Sequence, residues 1–142
     1  MTLVVDGSGQ ILGRLASLVA KRLLEGERVI VVNSEKIVLS GRRSTIFREY
    51  DEWMEVRGRT NPRKGPKHFR RPDDIFRQVV RGMLPIKKAK GREALGRLRV
   101  HVGVPEDLSN VSKTTFPEAS AGKLGGRFIT LGELSRYLGV EI

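Results

Sequence analysis

The chain has 142 residues, 39 % of them apolar, with 27 Lys and Arg against 16 Asp and Glu and no cysteine. One domain is the expectation at this length, large enough to bury a core without covalent staples. The lack of cysteine excludes disulfides, thiolate zinc sites, iron–sulfur clusters and a cysteine nucleophile, and His68 and His101 are too few for a multi-histidine metal site.

Thr2 to Val5 reads as a short buried strand, and Asp6-Gly-Ser-Gly follows as a turn. From Ile11 to Leu24, apolar residues at 12, 15, 16, 19 and 23 form a helical stripe, which Gly26 ends. Arg28 to Val32 is a β-branched run of the kind a parallel sheet buries on both faces. Strand, helix and strand together predict a βαβ unit with a right-handed crossover. A turn at Asn33-Ser-Glu precedes Lys36 to Leu39, read as an edge strand. The helix predicted over Ser44 to Val56 carries Ile46, Phe47, Tyr50, Trp53 and Met54 on one face, with Tyr50 and Trp53 read as core residues.

Gly58 to Arg71 holds Gly58, Pro62, Gly65 and Pro66 among its bases and reads as a long basic loop. Pro72 suits the first turn of a helix, and Asp73 and Asp74 complement its positive end. Ile75, Phe76, Val79, Val80 and Met83 are expected in the core, with Arg77 and Arg81 turned elsewhere, and Pro85 stops the helix. Lys87 to Arg92 reads as a second basic loop, followed by a short helix to Leu95 and a strand near Leu98 to Val102. Glu106 to Gly126 is a low-charge irregular arm, Arg127 to Ile129 a last strand, and Thr130 with Glu133 a capping box that opens a final helix.

The net charge of +11 is placed unevenly. Between Arg57 and Arg99, fifteen bases face only Asp73, Asp74 and Glu93, a net of +12, whereas the other 99 residues sum to −1. Such a block repels itself unless a partner supplies negative charge, and nucleic-acid phosphate is the densest common source. A solvated basic face is the plain alternative. A lipid surface is weaker, because no amphipathic basic helix with exposed large apolar residues accompanies the charge. No apolar run approaches the ~20 residues that cross a bilayer, and the start MTLVVDGSGQ lacks the layout of a signal peptide, so the expectation is a soluble cytoplasmic protein.

One enzyme-like pattern stands out. Gly7, Gly9 and Gly13 follow a strand at a helix start, where backbone amides can cradle a phosphate. The spacing misses the dinucleotide fingerprint by one residue, Asn33 stands where an acidic residue is wanted, and the GlyLys of a P-loop is missing. A small nucleotide-binding enzyme is thus the runner-up reading, with Gly13 otherwise explained by close helix packing. A free-standing nucleic-acid regulator is a third. His68 beside Lys67 and Arg70 reads as a nucleotide contact or an exposed loop residue, and His101 between Val100 and Val102 as structural.

The stronger constellation is LysHisPheArgArgPro at 67–72, ValArgGlyMetLeuPro at 80–85 and LysLysAlaLysGlyArg at 87–92. Arginine forks and lysine point charges suit crowded phosphates, Phe69 offers a stacking face, and Gly65, Gly82 and Gly91 admit a close backbone approach.

AspGlySerGlyGlnIleLeuGlyArgLeuAlaSer at 6–17, ValValAsnSerGluLys at 31–36, SerGly at 40–41, GlyProLysHisPheArgArgPro at 65–72 and ArgGlyMetLeuPro at 81–85 resemble the universal large-subunit ribosomal protein thirteen family over nearly the whole chain. The form of the basic loop is similar to the archaeal and eukaryotic branch, and the short C-terminal part to the archaeal one. The resemblance implies one three-layer α/β/α domain over 1–142, with a small, mostly parallel four-stranded sheet and basic loop extensions. It also implies binding to large-subunit rRNA among neighbouring subunit proteins, with no catalytic activity, cofactor, membrane or small-molecule substrate. The RNA-facing residues it implies are Arg57, Arg59, Lys64, Lys67, His68, Phe69, Arg70 and Arg71, then Arg81, Lys87, Lys88, Lys90 and Arg92. Arg63 and Arg77 join them from the same basic segments.

Overall fold

The computed structural model describes residues 2–55, 69–123 and 126–140. Strand β1 (Thr2–Asp6), helix α1 (Leu12–Leu24) and strand β2 (Arg28–Val32) form the expected βαβ unit. β2 also pairs in parallel with β4 (Leu98–Val100), giving a sheet in the order β1-β2-β4. β3 (Val38–Ser40) and β5 (Phe128–Thr130) pair antiparallel as a separate two-stranded sheet. The family resemblance implies one sheet of four strands, whereas the described strands form a sheet of three and a sheet of two. The turn after β2 redirects the chain, because Asn33 adopts a left-handed conformation (φ 56°) before the short 3-10 turn Ser34–Lys36. β3 therefore leaves β2 and finds its partner almost a hundred residues later.

Side chains alternate across a strand, so the sheet has two different faces. Val5, Val29, Val31 and Leu98 point to one face and join Leu15, Val19 and Leu23 of α1 and Phe76 and Val80 of α3 (Pro72–Gly82) in a single core. Thr2, Arg28, Ile30 and Arg99 lie on the other, where only Val4 and Val32 are buried. The β-branched run Arg28–Val32 is thus covered fully on one side only. Among the described residues, α1 and α3 pack on the same face of this sheet.

Helix α2 (Arg43–Glu55) buries only Ile46 and packs Phe47 and Tyr50 partly against the core. Trp53 is 43 % exposed, not a core residue as expected. The helix is held at its first turns and runs on past the packed interior. α5 (Leu131–Tyr137) clasps it: Phe47 and Tyr137 stack with centroids 4.0 Å apart, and Arg43 lies 3.4 Å from Glu133. The Tyr137 hydroxyl also donates to Asp51. The capping box at Thr130 and Glu133 is present in both directions, at 3.2 Å each.

The arm expected to be irregular is part of the framework. It holds the 3-10 turns Glu106–Leu108, Pro117–Ala119 and Ala121–Lys123, Thr114 bridges to Val5 beside β1, and Phe116 and Ala119 are buried.

Candidate nucleic-acid interface

The glycine turn after β1 is chemically closed. The amide of Gly7 donates to Val32 O (2.9 Å), Gly9 to Lys36 O (3.2 Å), Gln10 to Gly7 O (3.1 Å) and Ile11 to Ala119 O (2.6 Å). Ser8 donates its amide to Asp6 Oδ1 at 2.9 Å. Five consecutive donors that a phosphate would need are occupied, and a carboxylate stands beside them. A Cβ at Gly7 would come within 2.8 Å of Ile37, whereas one at Gly13 would meet nothing, so packing explains Gly7 and not Gly13. This turn is a structural corner and not a nucleotide cradle.

Burial raises the Asp6 carboxyl pKa, but hydrogen bonds from the Ser8 amide, the Asn33 side chain and the Ser8 hydroxyl, with the charge of Lys36, outweigh it and leave it below its ordinary value.

The basic surface gathers on α3 and its exit. Pro72 starts α3, and its Pro72, Ile75, Phe76 and Val80 stripe is buried. Met83, expected in the core, is 43 % exposed because it caps the helix beyond that stripe. Arg77 and Arg81, one turn apart, line a cleft of about 560 Å³ with Phe69, Asp74, Gln78 and Leu95. Arg81 is exposed, whereas half-buried Arg77 spends one donor on Leu98 O of β4 at 3.1 Å. Phe69 is half-buried and also borders a second groove with Tyr50, Trp53 and Ile75. Its ring therefore separates an apolar recess from the arginine-lined cleft.

Arg70 and Arg71 are exposed just before α3, and Arg71 Nε lies 3.2 Å from Asp73. Beyond α3, Lys87, Lys88 and Lys90 are exposed. Arg92 is exposed too and reaches back to Ile86 O and Lys87 O, both at 3.3 Å. The second basic loop is half helical, since α4 (Ala89–Gly96) begins inside it. Gly91 is buried there, and a Cβ would stand 2.1 Å from Pro85 O, so this glycine serves contact within the chain, not approach to a ribose-phosphate surface. Among the eight described candidate cations, Arg71 alone has an acidic partner within ion-pair distance. Arg57, Arg59, Arg63, Lys64, Lys67 and His68 lie outside the described residues.

The sequence reading left out Arg28, Arg97 and Arg99. The last two were counted in the charge block, but their spacing of two around buried Leu98 is the signal that brings both beside Arg28 at the end of the sheet where β2 begins. Among the described residues, no three His, Asp or Glu side chains converge as metal ligands, and no helix is long and apolar enough to cross a membrane.

Comparison with known proteins adds the lineage. The model of the family "Ribosomal protein L13" matches residues 1–107. Large ribosomal subunit protein uL13 of Methanopyrus kandleri is 47 % identical over 142 residues, covering 98 % of this chain and 87 % of that protein. The Methanocaldococcus jannaschii protein of the same name is 49 % identical, with 97 % and 98 % covered. That of Aeropyrum pernix is 51 % identical, with 96 % and 89 % covered. With the family model spanning most of the chain and relatives aligned almost end to end, the chain belongs to the ribosomal protein L13 family.

Proposed function

We propose that the chain is a structural component of the large ribosomal subunit in the cytoplasm, without catalytic activity, cofactor or small-molecule substrate, whose partners are large-subunit rRNA and neighbouring subunit proteins. Residues 1–142 act as one domain. Its nearly neutral body positions the basic region 57–99 against folded RNA and supports subunit assembly. Arg70, Arg71, Arg81, Lys87, Lys88, Lys90 and Arg92 meet phosphates, Arg77 steadies the cleft, and Phe69 stacks on an unpaired base. Arg57, Arg59, Arg63, Lys64, Lys67 and His68 continue the same surface.

The observation that carries this reading is the +12 block inside a chain otherwise at −1. Of its eight described candidate cations, all but half-buried Arg77 are exposed, and Arg71 alone has an acidic partner among the described residues. Cations so placed gain little from the protein and much from displacing counterions on RNA.

The test is binding of the full chain to a large-subunit rRNA transcript across a salt series. Log affinity is expected to fall linearly with log salt, by roughly 0.7–0.9 per phosphate contact. A salt-independent affinity would overturn the proposal.

A further inference from the structure

The sheet face turned away from the core carries a second cluster of cations. Arg28 opens β2 beside Thr2 of β1, Arg99 lies beside Ile30 on the neighbouring strand, and Arg97 immediately precedes β4. Together these five residues and Gly96 line a cavity of about 300 Å³. No acidic residue lines it. The nearest acid in sequence, Glu27, is engaged with Arg22 at 3.6 Å, and none of the three arginines has an ion pair among the described residues.

Two of these guanidinium groups are braced by carbonyls. Arg97 donates to Leu23 O at the end of α1, and Arg99 donates to Gly96 O at 3.2 Å and Leu98 O at 3.0 Å. The buried Nε of Arg97 has no acceptor among the described residues, which satisfy that guanidinium only in part. Each arginine has five donors in a fixed fork. Neighbouring strands lie about 4.8 Å apart and alternate residues about 6.6 Å, so three cationic side chains are confined to one small patch whose described lining holds no acid. Bracing reduces the ordering cost of binding an anion.

We propose that this face is a phosphate-binding site that holds the backbone of an RNA strand, distinct from the surface on α3. An RNA strand fits better than an acidic peptide because its backbone carries a negative charge at every nucleotide, which suits three arginines gathered on one small cavity with no acid in its described lining, whereas fork geometry alone would serve carboxylate and phosphate alike. The inference rests on the reading of the chain as an rRNA-binding protein and adds to it that RNA contacts both sides of the sheet. The end of the sheet where ligands usually sit in parallel α/β folds is sealed by the Gly7–Ile11 corner. The opposite end is the one left basic.

The test compares the full chain with Arg28→Ala/Arg99→Ala and Arg28→Lys/Arg99→Lys on the large-subunit rRNA transcript. Arg97 is left in place because it ties β4 to α1. The alanine pair is expected to reduce the salt slope by roughly 0.7–0.9 per arginine removed, with an unchanged melting temperature, and the lysine pair to restore it. Since the chain has no cysteine, a Thr2→Cys variant carrying a tethered iron chelate should cleave the bound transcript at discrete positions.

Wild-type binding with an undiminished slope in the alanine pair overturns the site and leaves the proposed function standing. No wild-type binding at all overturns the proposed function itself. Loss of a neighbouring protein from assembled subunits, with the RNA slope intact, would assign the face to an acidic protein surface and overturn the inference. So would stabilisation by inorganic phosphate that the alanine pair loses while its RNA slope stays intact.

Discussion

Gln10 Oε1 accepts the backbone N–H of Phe116 at 3.1 Å, a buried bond between residues 106 positions apart. It is the side-chain member of a seam that includes Ile11 N–H to Ala119 O and Ala121 N–H to Gly9 O. A Gln10→Leu variant keeps the volume but leaves the Phe116 amide buried and unpaired. Urea unfolding should show a loss of about 1–3 kcal/mol with an unchanged denaturant slope.

Gly91 and Gly96 sit in the same helix, with opposite expected responses to a methyl group. At Gly91 a Cβ meets the Pro85 carbonyl, whereas at Gly96 it meets nothing. Gly91→Ala should cost about 1–3 kcal/mol by overpacking, and more if the turn at Pro85 cannot yield. Gly96→Ala should be neutral or stabilise by up to about 1 kcal/mol through helix propensity. Thermal melting of the two variants side by side decides it.

Thr130 caps α5 through the Glu133 amide. Thr130→Ala should cost about 1 kcal/mol, read by urea unfolding, and the same measurement on Thr130→Ser should show most of it kept.

Asp6 should give the acid limb of stability a specific component. Its folded pKa lies below the ordinary carboxyl value of 3.8, so its contribution is fully present above that value. It is lost as pH falls through the folded pKa. Unfolding midpoints of wild type and Asp6→Asn measured from neutral to strongly acidic pH should therefore converge at the acid end. Divergence there would show that the hydrogen bonds from Ser8 and Asn33 do not favour the carboxylate.

Arg70 and Arg77 should separate RNA binding from folding. Arg70→Ala with Arg71→Ala should weaken rRNA binding and leave the melting temperature nearly unchanged, because both side chains are exposed. Arg77→Ala should lower both, since its guanidinium also donates to Leu98 O of β4. Filter binding and melting curves on the same preparations report the two effects.

The helices α1 and α3 were legible because their apolar residues repeat at helical spacing and the ends carry clear punctuation, Gly26 and Pro72. The capping box was legible for the same reason, since both partners sit within one turn. Trp53 and Met83 were misread because periodicity reports a face and not how far the core extends beneath it. The arm was misread more deeply. Its Ser, Thr, Gly and Pro residues have no period, and its order comes from backbone bonds to Asp6, Gly9 and Ile11, which local pattern does not encode. The sheet arginines were hidden by a related effect: Arg97 and Arg99 looked like more of the basic block until pairing with β2 set them beside Arg28.

The corner at Gly7–Ile11 also carries a consequence for how the polypeptide matures during synthesis. Ile11 is fastened to Ala119, and Gln10 to Phe116. The first fifth of the molecule therefore waits, with two of its amide and carboxamide partners missing, until residues made more than a hundred steps later have left the translating machinery. The amino-terminal unit can begin to form early, but its final setting waits for that later segment.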